Sequence, residues 1–150
     1  MYKLILISKI SLLLIFVFSG IVIKAQEKTS IDEWELPRSA REFVAMNFPE
    51  QKINQANRIV DKNTKEFEVQ LNNLTEIEFD HLGYWSEVNG NSNTIPTEFI
   101  PRKIMDYITS KFKSERIIKI EKSAKKYEVK LTQGFEIEFD LKGKFLKMGN

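Results

Sequence analysis

Two apolar periods alternate along the chain. Ala40, Phe43, Val44 and Phe48 recur at spacings of three and four, as do Ile104, Tyr107, Ile108 and Phe112, so each set forms one stripe on a helix. Pro37 and Pro101 precede these stripes and suit a first helical turn, where a missing N–H costs nothing, and Pro49 stops the first helix. Period two follows. Phe67, Val69 and Leu71 alternate with Glu66, Glu68 and Gln70, and Tyr127, Val129 and Leu131 alternate with Lys126, Glu128 and Lys130. After the turn dipeptides Asn72-Asn73 and Gln133-Gly134, Ile77 and Phe79 sit among Glu76, Glu78 and Asp80, and Ile137 and Phe139 among Glu136, Glu138 and Asp140. Asp80-His-Leu-Gly83 and Asp140-Leu-Lys-Gly143 then read as hairpin turns with glycine in the left-handed position, each leading into a last strand at Tyr84 and at Lys144.

The pattern is an internal repeat. EFEVQLNNLTEIEFDHLGYW (66–85) lies over KYEVKLTQGFEIEFDLKGKF (126–145) at an offset of 60, and LPRSAREFVAMNFPEQKI (36–53) over IPRKIMDYITSKFKSERI (100–117) at an offset of 64. The first copy therefore holds four extra residues between Ile53 and Phe67, which a longer strand or hairpin absorbs. With an earlier strand near 53–60 and 117–120, each copy is α-β-β-β-β. The fold class is thus α+β: two tandem units whose antiparallel strands alternate in and out, with helices packed on one face. A unit of this size is marginal alone, so edge-to-edge pairing into one eight-stranded sheet is expected. The organisation is 1–25 as a signal peptide, 26–35 as an N-terminal segment, 36–90 as repeat 1, 91–99 as a linker opened by the polar stretch NGNSNT, and 100–150 as repeat 2.

The signal peptide rests on Lys3 and Lys9 with no acid, followed by the uncharged run ISLLLIFVFSGIVI at 10–23, with cleavage expected near Ala25. Fourteen helical residues reach about 21 Å, short of the roughly 30 Å hydrocarbon core, which disfavours a retained anchor. Its removal takes three lysines and no acid, lowering the basic count from 23 to 20 against 21 acids, a net charge of −1. No basic patch with interleaved aromatics remains, so nucleic acid is not an expected partner. Zero Cys excludes disulfides, thiolate catalysis and a lipidated cysteine, and one His excludes multi-His metal sites.

Candidate chemistry is sparse. The carboxylates Glu76, Glu78 and Asp80, with Glu136, Glu138 and Asp140, could suggest calcium or an acid–base pair, but residues two apart on a strand lie roughly 7 Å apart and face water. No calcium-loop pattern accompanies them, and Lys126, Lys130 and Lys65 are at hand to neutralise them across strands. His81 stands in a turn without a nucleophile nearby, and the six glycines form no phosphate loop. Catalytic, cofactor and metal residues are therefore expected to be none. The aromatics Tyr84, Trp85 and Phe145 are the candidate partner-binding residues. If Val88 and Met148 join the core, then without a bulge Trp85 and Phe145 lie on the open face as contact hot spots. The opposing placement turns Trp85 inward and leaves Val88 at an edge.

The proline-started helix, the alternating strand and the motif EIEFD-x-x-G-x-aromatic, repeated behind an export signal, resemble the PepSY-like family, also described as beta-lactamase-inhibitor-like. The resemblance covers 36–150, with Phe145 departing from the tryptophan more usual at that place. It implies a small periplasmic or otherwise exported protein that binds a protein partner such as a peptidase through an open sheet face; a monomer, with no membrane contact after signal removal, is expected. The alternative is a small-ligand or structural envelope module without inhibitory action, which for a ligand requires a closed apolar pocket under the sheet.

Overall fold

In the computed structural model, residues 27–61 and 64–149 are described. The expected signal segment and its cleavage point lie outside them. Two ten-residue helices, α1 (Arg38–Asn47) and α2 (Arg102–Lys111), form where the stripes predict them, each beginning directly after its proline. Their buried residues are Ala40 and Val44 on α1 and Ile104 and Ile108 on α2. Both stop the same way: the N–H of Phe48 donates to the Val44 carbonyl and that of Phe112 to the Ile108 carbonyl, at 2.8 Å each.

The strands are β1 (Glu27–Ile31), β2 (Ile53–Asp61), β3 (Thr64–Leu71), β4 (Glu76–Phe79), β5 (Trp85–Asn89), β6 (Ile117–Lys122), β7 (Lys126–Leu131), β8 (Glu136–Asp140) and β9 (Phe145–Gly149). They pair antiparallel in chain order into a single nine-stranded sheet, with β5 and β6 joining the two halves through Glu87, Val88 and Asn89 opposite Glu121, Ile120 and Lys119. The expected eight strands become nine because β1 pairs with residues Ala56 to Val60 of β2. Its sequence EKTSI carries one apolar residue, so no alternation announces it. The four extra residues of the first half lengthen the β2–β3 hairpin, whose strands run nine and eight residues against six and six for β6–β7.

One face of the sheet and the two helices enclose the core. Val69, Leu71, Ile77, Phe79 and Val88 in the first half, and Ile120, Val129, Leu131, Ile137 and Phe139 in the second, are fully buried. The linker is part of this structure. Ile95 and Ile100 are buried, Gly90 and Ile95 donate backbone N–H groups to Ile118 and Ile117, and the amide groups of Asn91 and Asn93 donate to the Leu74 and Asn73 carbonyls.

The two hairpin turns lock the helix N-termini to the sheet. Asp80 Oδ1 accepts the N–H groups of Leu82 and Tyr84 at 2.9 Å, and Asp140 Oδ1 those of Lys142 and Lys144 at 2.9 and 2.8 Å. Gly83 (φ +83°) and Gly143 (φ +78°) are left-handed and lie against the helices. A Cβ on Gly83 would meet Ser39 Oγ and stand 2.6 Å from Pro37 Cβ; one on Gly143 would stand 2.9 Å from Lys103 Cβ. The carbonyl of Leu82 accepts the Ser39 hydroxyl, closing the same contact.

Candidate functional site: the open sheet face

The face opposite the helices is built by the polar half of each alternation. Because the strands pair in simple order, one position from each falls into line across the sheet: Glu68 opposite Glu78, Glu78 opposite Glu87, Glu87 opposite Glu121, Glu121 opposite Glu128, and Glu128 opposite Glu138. Six directly opposed glutamates form one transverse row, ended by Asn57 on β2 and Lys147 on β9. Like charges directly opposite are destabilising, so the row survives through flanking cations. Lys28 reaches Glu68 at 2.6 Å, Lys119 reaches Glu87 at 2.9 Å, and Lys126 bridges Glu128 and Glu138 at 2.8 and 2.7 Å. Lys147 approaches Glu138 at 3.2 Å, and Lys130 meets Glu136 in the neighbouring row at 3.3 Å.

The electrostatics follow the pairing. Burial, with the charges of Glu87 and Glu68 on either side, holds the Glu78 carboxyl above the usual glutamate range. Glu78 has no salt bridge among the described residues. Hydrogen bonds from Lys126, and then Lys147, keep the Glu138 carboxyl below that range despite desolvation. Burial pulls the Lys119 ammonium down, but the hydrogen bond and charge of Glu87 outweigh it and carry its pKa above the ordinary lysine value. Lys126 is pushed up further, by its bonds to Glu128 and Glu138.

This arrangement offers paired charges of both signs on a broad surface, with Glu68, Glu87 and Glu138 side chains only about a fifth exposed. It can receive hydrogen-bond donors and cationic groups. The expected acidic ladders divide in two. Glu76, Glu78, Glu136 and Glu138 face outward as read, but only Glu138 and Glu136 find the expected cations, Lys126 and Lys130, while Glu76 accepts from the Gln70 amide; Asp80 and Asp140 are taken up by their own turns. Lys65 lies over the Phe67 ring, 5.1 Å from its centroid, on the other face. Among the described residues no group of three His, Cys, Asp or Glu side chains is arranged to hold a metal ion. His81 is exposed in its turn.

Of the two placements open to Trp85, the structure takes the inward one, with Val88 buried on the same side instead of capping an edge. In β5 Trp85 is opposite Phe79 while Glu87 is opposite Glu78, so Ser86 is an extra residue in a β-bulge; β9 repeats this with Phe145 opposite Phe139 and Leu146 extra. The bulge shifts the alternation by one, and Trp85 and Val88, three apart, both turn toward the helices. Trp85 packs on Phe99, Phe43 and Tyr127, with ring centroids 5.2, 6.3 and 6.3 Å away. Phe145 stacks on Tyr107 of α2 at 5.0 Å and 11°, retaining 37% exposure at the sheet's end. Tyr84 stands in the β4–β5 turn, 63% exposed. The three do not converge on one surface. Glu68, Glu87, Glu121 and Glu128 were absent from the sequence-derived candidates; counting registers outward from each hairpin turn would have aligned Glu68 with Glu78 and Glu128 with Glu138.

Hollows lie at the rims of the helices. One of about 420 Å³ is lined by Phe48, Pro49, Asn73 and Ile95, and one of about 470 Å³ by Met105, Ile108, Phe112 and Glu115. In the latter, the buried Glu115 carboxylate accepts the Thr132 hydroxyl at 2.6 Å and the Gln133 N–H at 3.0 Å.

Comparison with known proteins agrees with this architecture. No curated protein matches the sequence. Three solved structures resemble it closely. A "putative periplasmic protein" of the DUF2874 family from Bacteroides vulgatus is 31% identical with a TM-score of 0.80, covering 83% of this chain and 98% of its own. A "putative calcium-regulated periplasmic protein" from Bacteroides thetaiotaomicron is 32% identical with a TM-score of 0.80, covering 82% and 97%. A further B. vulgatus periplasmic protein of unknown function is 31% identical at 0.78, covering 84% and all of its own chain. No helix among the described residues is long and apolar enough to cross a membrane. The family described as "Putative beta-lactamase-inhibitor-like, PepSY-like" matches twice, over residues 21–74 and 65–147, in keeping with a tandem arrangement. The chain belongs to this PepSY-like, beta-lactamase-inhibitor-like family.

Proposed function

We propose that this chain is an exported, non-catalytic binding module that docks another envelope protein, such as a peptidase, through the open face of its sheet and restrains it. The observation that carries this reading is the transverse glutamate row with its lysines, on a face that neither helix covers. Folding alone is served by a face of small polar residues. Six opposed carboxylates instead cost stability, which a partner bearing donors and cations offsets on binding. The periplasmic neighbours support an envelope location, and the inhibitor-like family supports restraint rather than turnover. The small-ligand alternative gains no support from the hollows, which open at the helix rims beside Phe48 and Phe112 instead of under the sheet.

Photo-crosslinking side chains placed at Glu78 and Glu128 test the face, with Met46 and Asp106 on the exposed sides of the helices as controls. A covalent adduct to one envelope protein, formed only from the two sheet positions, is the expected result. Equal adducts from Met46 and Asp106, or none from the sheet, would overturn the reading.

A further inference from the structure

Strand β9 ends the sheet, and among the described residues nothing pairs with its outer side. It is also unusually apolar for an exposed edge. Leu146 and Met148 are half exposed, Phe145 more than a third, and Leu141 in the preceding turn is half exposed. Edge strands left free are normally short, charged or covered.

The molecule contains its own picture of what such an edge accepts. At the offset of 60, β9 corresponds to β5: Phe145 to Trp85, Lys147 to Glu87, Met148 to Val88 and Gly149 to Asn89, with the same bulge one residue in. The outer side of β5 is taken by β6, which lays Lys119, Ile120 and Glu121 antiparallel against Asn89, Val88 and Glu87. Ile120 continues the core beside Val88, and Lys119 reaches diagonally to Glu87 at 2.9 Å. On β9 the apolar position is kept as Met148, and the charge is inverted to Lys147.

We propose that the outer edge of β9 receives an extended segment of a partner polypeptide, added antiparallel as a tenth strand, with the pattern acid–aliphatic–acid. The aliphatic residue falls opposite Met148. One acid falls opposite Lys147, and the other falls opposite Gly149, where it reaches Lys147 along the diagonal that Lys119 uses toward Glu87. The inner side of β9 is already paired this way, with Glu136, Ile137 and Glu138 opposite Gly149, Met148 and Lys147. Lys147 has capacity to spare, since its partner Glu138 is held more closely by Lys126 and the Lys147 side chain is 69% exposed. A second copy fits poorly. Neither free edge offers the acid–aliphatic–acid run: β9 itself presents Lys147, and β1 (EKTSI) has no aliphatic residue flanked by acids. Lys147 also ends the glutamate row, so this edge adjoins the open face, but the added strand uses the unpaired backbone of β9 and does not depend on what docks on that face.

The test uses the capped peptide Thr-Glu-Ile-Glu-Phe, which copies residues 75–79, and its charge-inverted form with Lys-Ile-Lys at the centre. Titration of the isotope-labelled protein is expected to shift the amide resonances of Phe145–Gly149 and of facing β8, with the acidic peptide bound about tenfold more tightly than the basic one. That ratio corresponds to two cross-strand charge pairs changed from attractive to repulsive. Lys147→Glu reverses the preference, and Lys28→Glu, an equal charge change at the far edge, does not. Equal affinities for the two peptides, shifts confined to other strands, no binding at millimolar peptide, or a dimer in sedimentation that Lys147→Glu dissolves would each overturn the proposal.

Discussion

Replacing Trp85 by alanine removes the ring that ties the two halves together from the helix side. It touches Phe43 on α1, Phe99 at the end of the linker and Tyr127 on β7. Truncating a large aromatic in a core costs about 3–5 kcal/mol. Trp85 is only half-buried, which places it at the lower end, while each well-placed aromatic pair adds about 0.5–1.5 kcal/mol beyond area. The expected loss is therefore about 3 kcal/mol, or roughly 10 °C in melting temperature for a chain of this size. Phe145→Ala, at the sheet's end with one stacked partner, is expected to cost about 1–2 kcal/mol. Urea unfolding followed by far-ultraviolet circular dichroism measures both without depending on tryptophan emission. A Trp85/Phe99 double-mutant cycle isolates their contact, with a coupling of about 1 kcal/mol expected. If Trp85→Ala stayed within about 0.5 kcal/mol of the parent, the inward placement and the bulge that causes it would be wrong.

Two further predictions separate local from tertiary causes. Gly83, Gly134 and Gly143 all have positive φ, but a Cβ on Gly134 meets nothing within 4 Å; Gly134→Ala is expected to cost about 1 kcal/mol, and Gly83→Ala about 2–4 kcal/mol, because it also drives α1 from the turn. Calorimetry of the two variants reads the order. The carboxyls predict opposite pH responses. Glu78, raised in the fold, contributes stability that is present at low pH and lost as pH rises through its folded pKa, so Glu78→Gln should stabilise the protein slightly at neutral pH and flatten the slope between the unfolded and folded pKa of that carboxyl. Asp140, lowered by the Lys144 and Lys142 N–H groups, contributes stability that is present above its unfolded pKa and lost as pH falls toward the folded one; Asp140→Asn, which keeps an acceptor, should therefore unfold later than Asp140→Ala. Chemical denaturation at stepped pH checks both signs.

What local pattern controls was readable in the chain. Two helices follow from Ala40, Phe43 and Val44 and from Ile104, Tyr107 and Ile108, because a helical stripe needs only spacing. The strands from Phe67 to Phe79 and from Tyr127 to Phe139 follow from strict alternation, and the turns from Asp80, Gly83, Asp140 and Gly143, which carry their own hydrogen bonds and backbone freedom. Tertiary structure decided three things. Strand β1 exists because the lengthened β2 offers it a partner, not because EKTSI favours extension. The side taken by Trp85 and Phe145 depends on single extra residues, Ser86 and Leu146, whose bulges appear only when β5 and β9 meet their neighbours. The glutamate row depends on the register of six strands at once. Alternation says that each glutamate points away from the core, but only pairing across turns and linker decides which glutamates stand side by side. Period is a property of neighbours in sequence, whereas register is a property of residues brought together by the whole sheet.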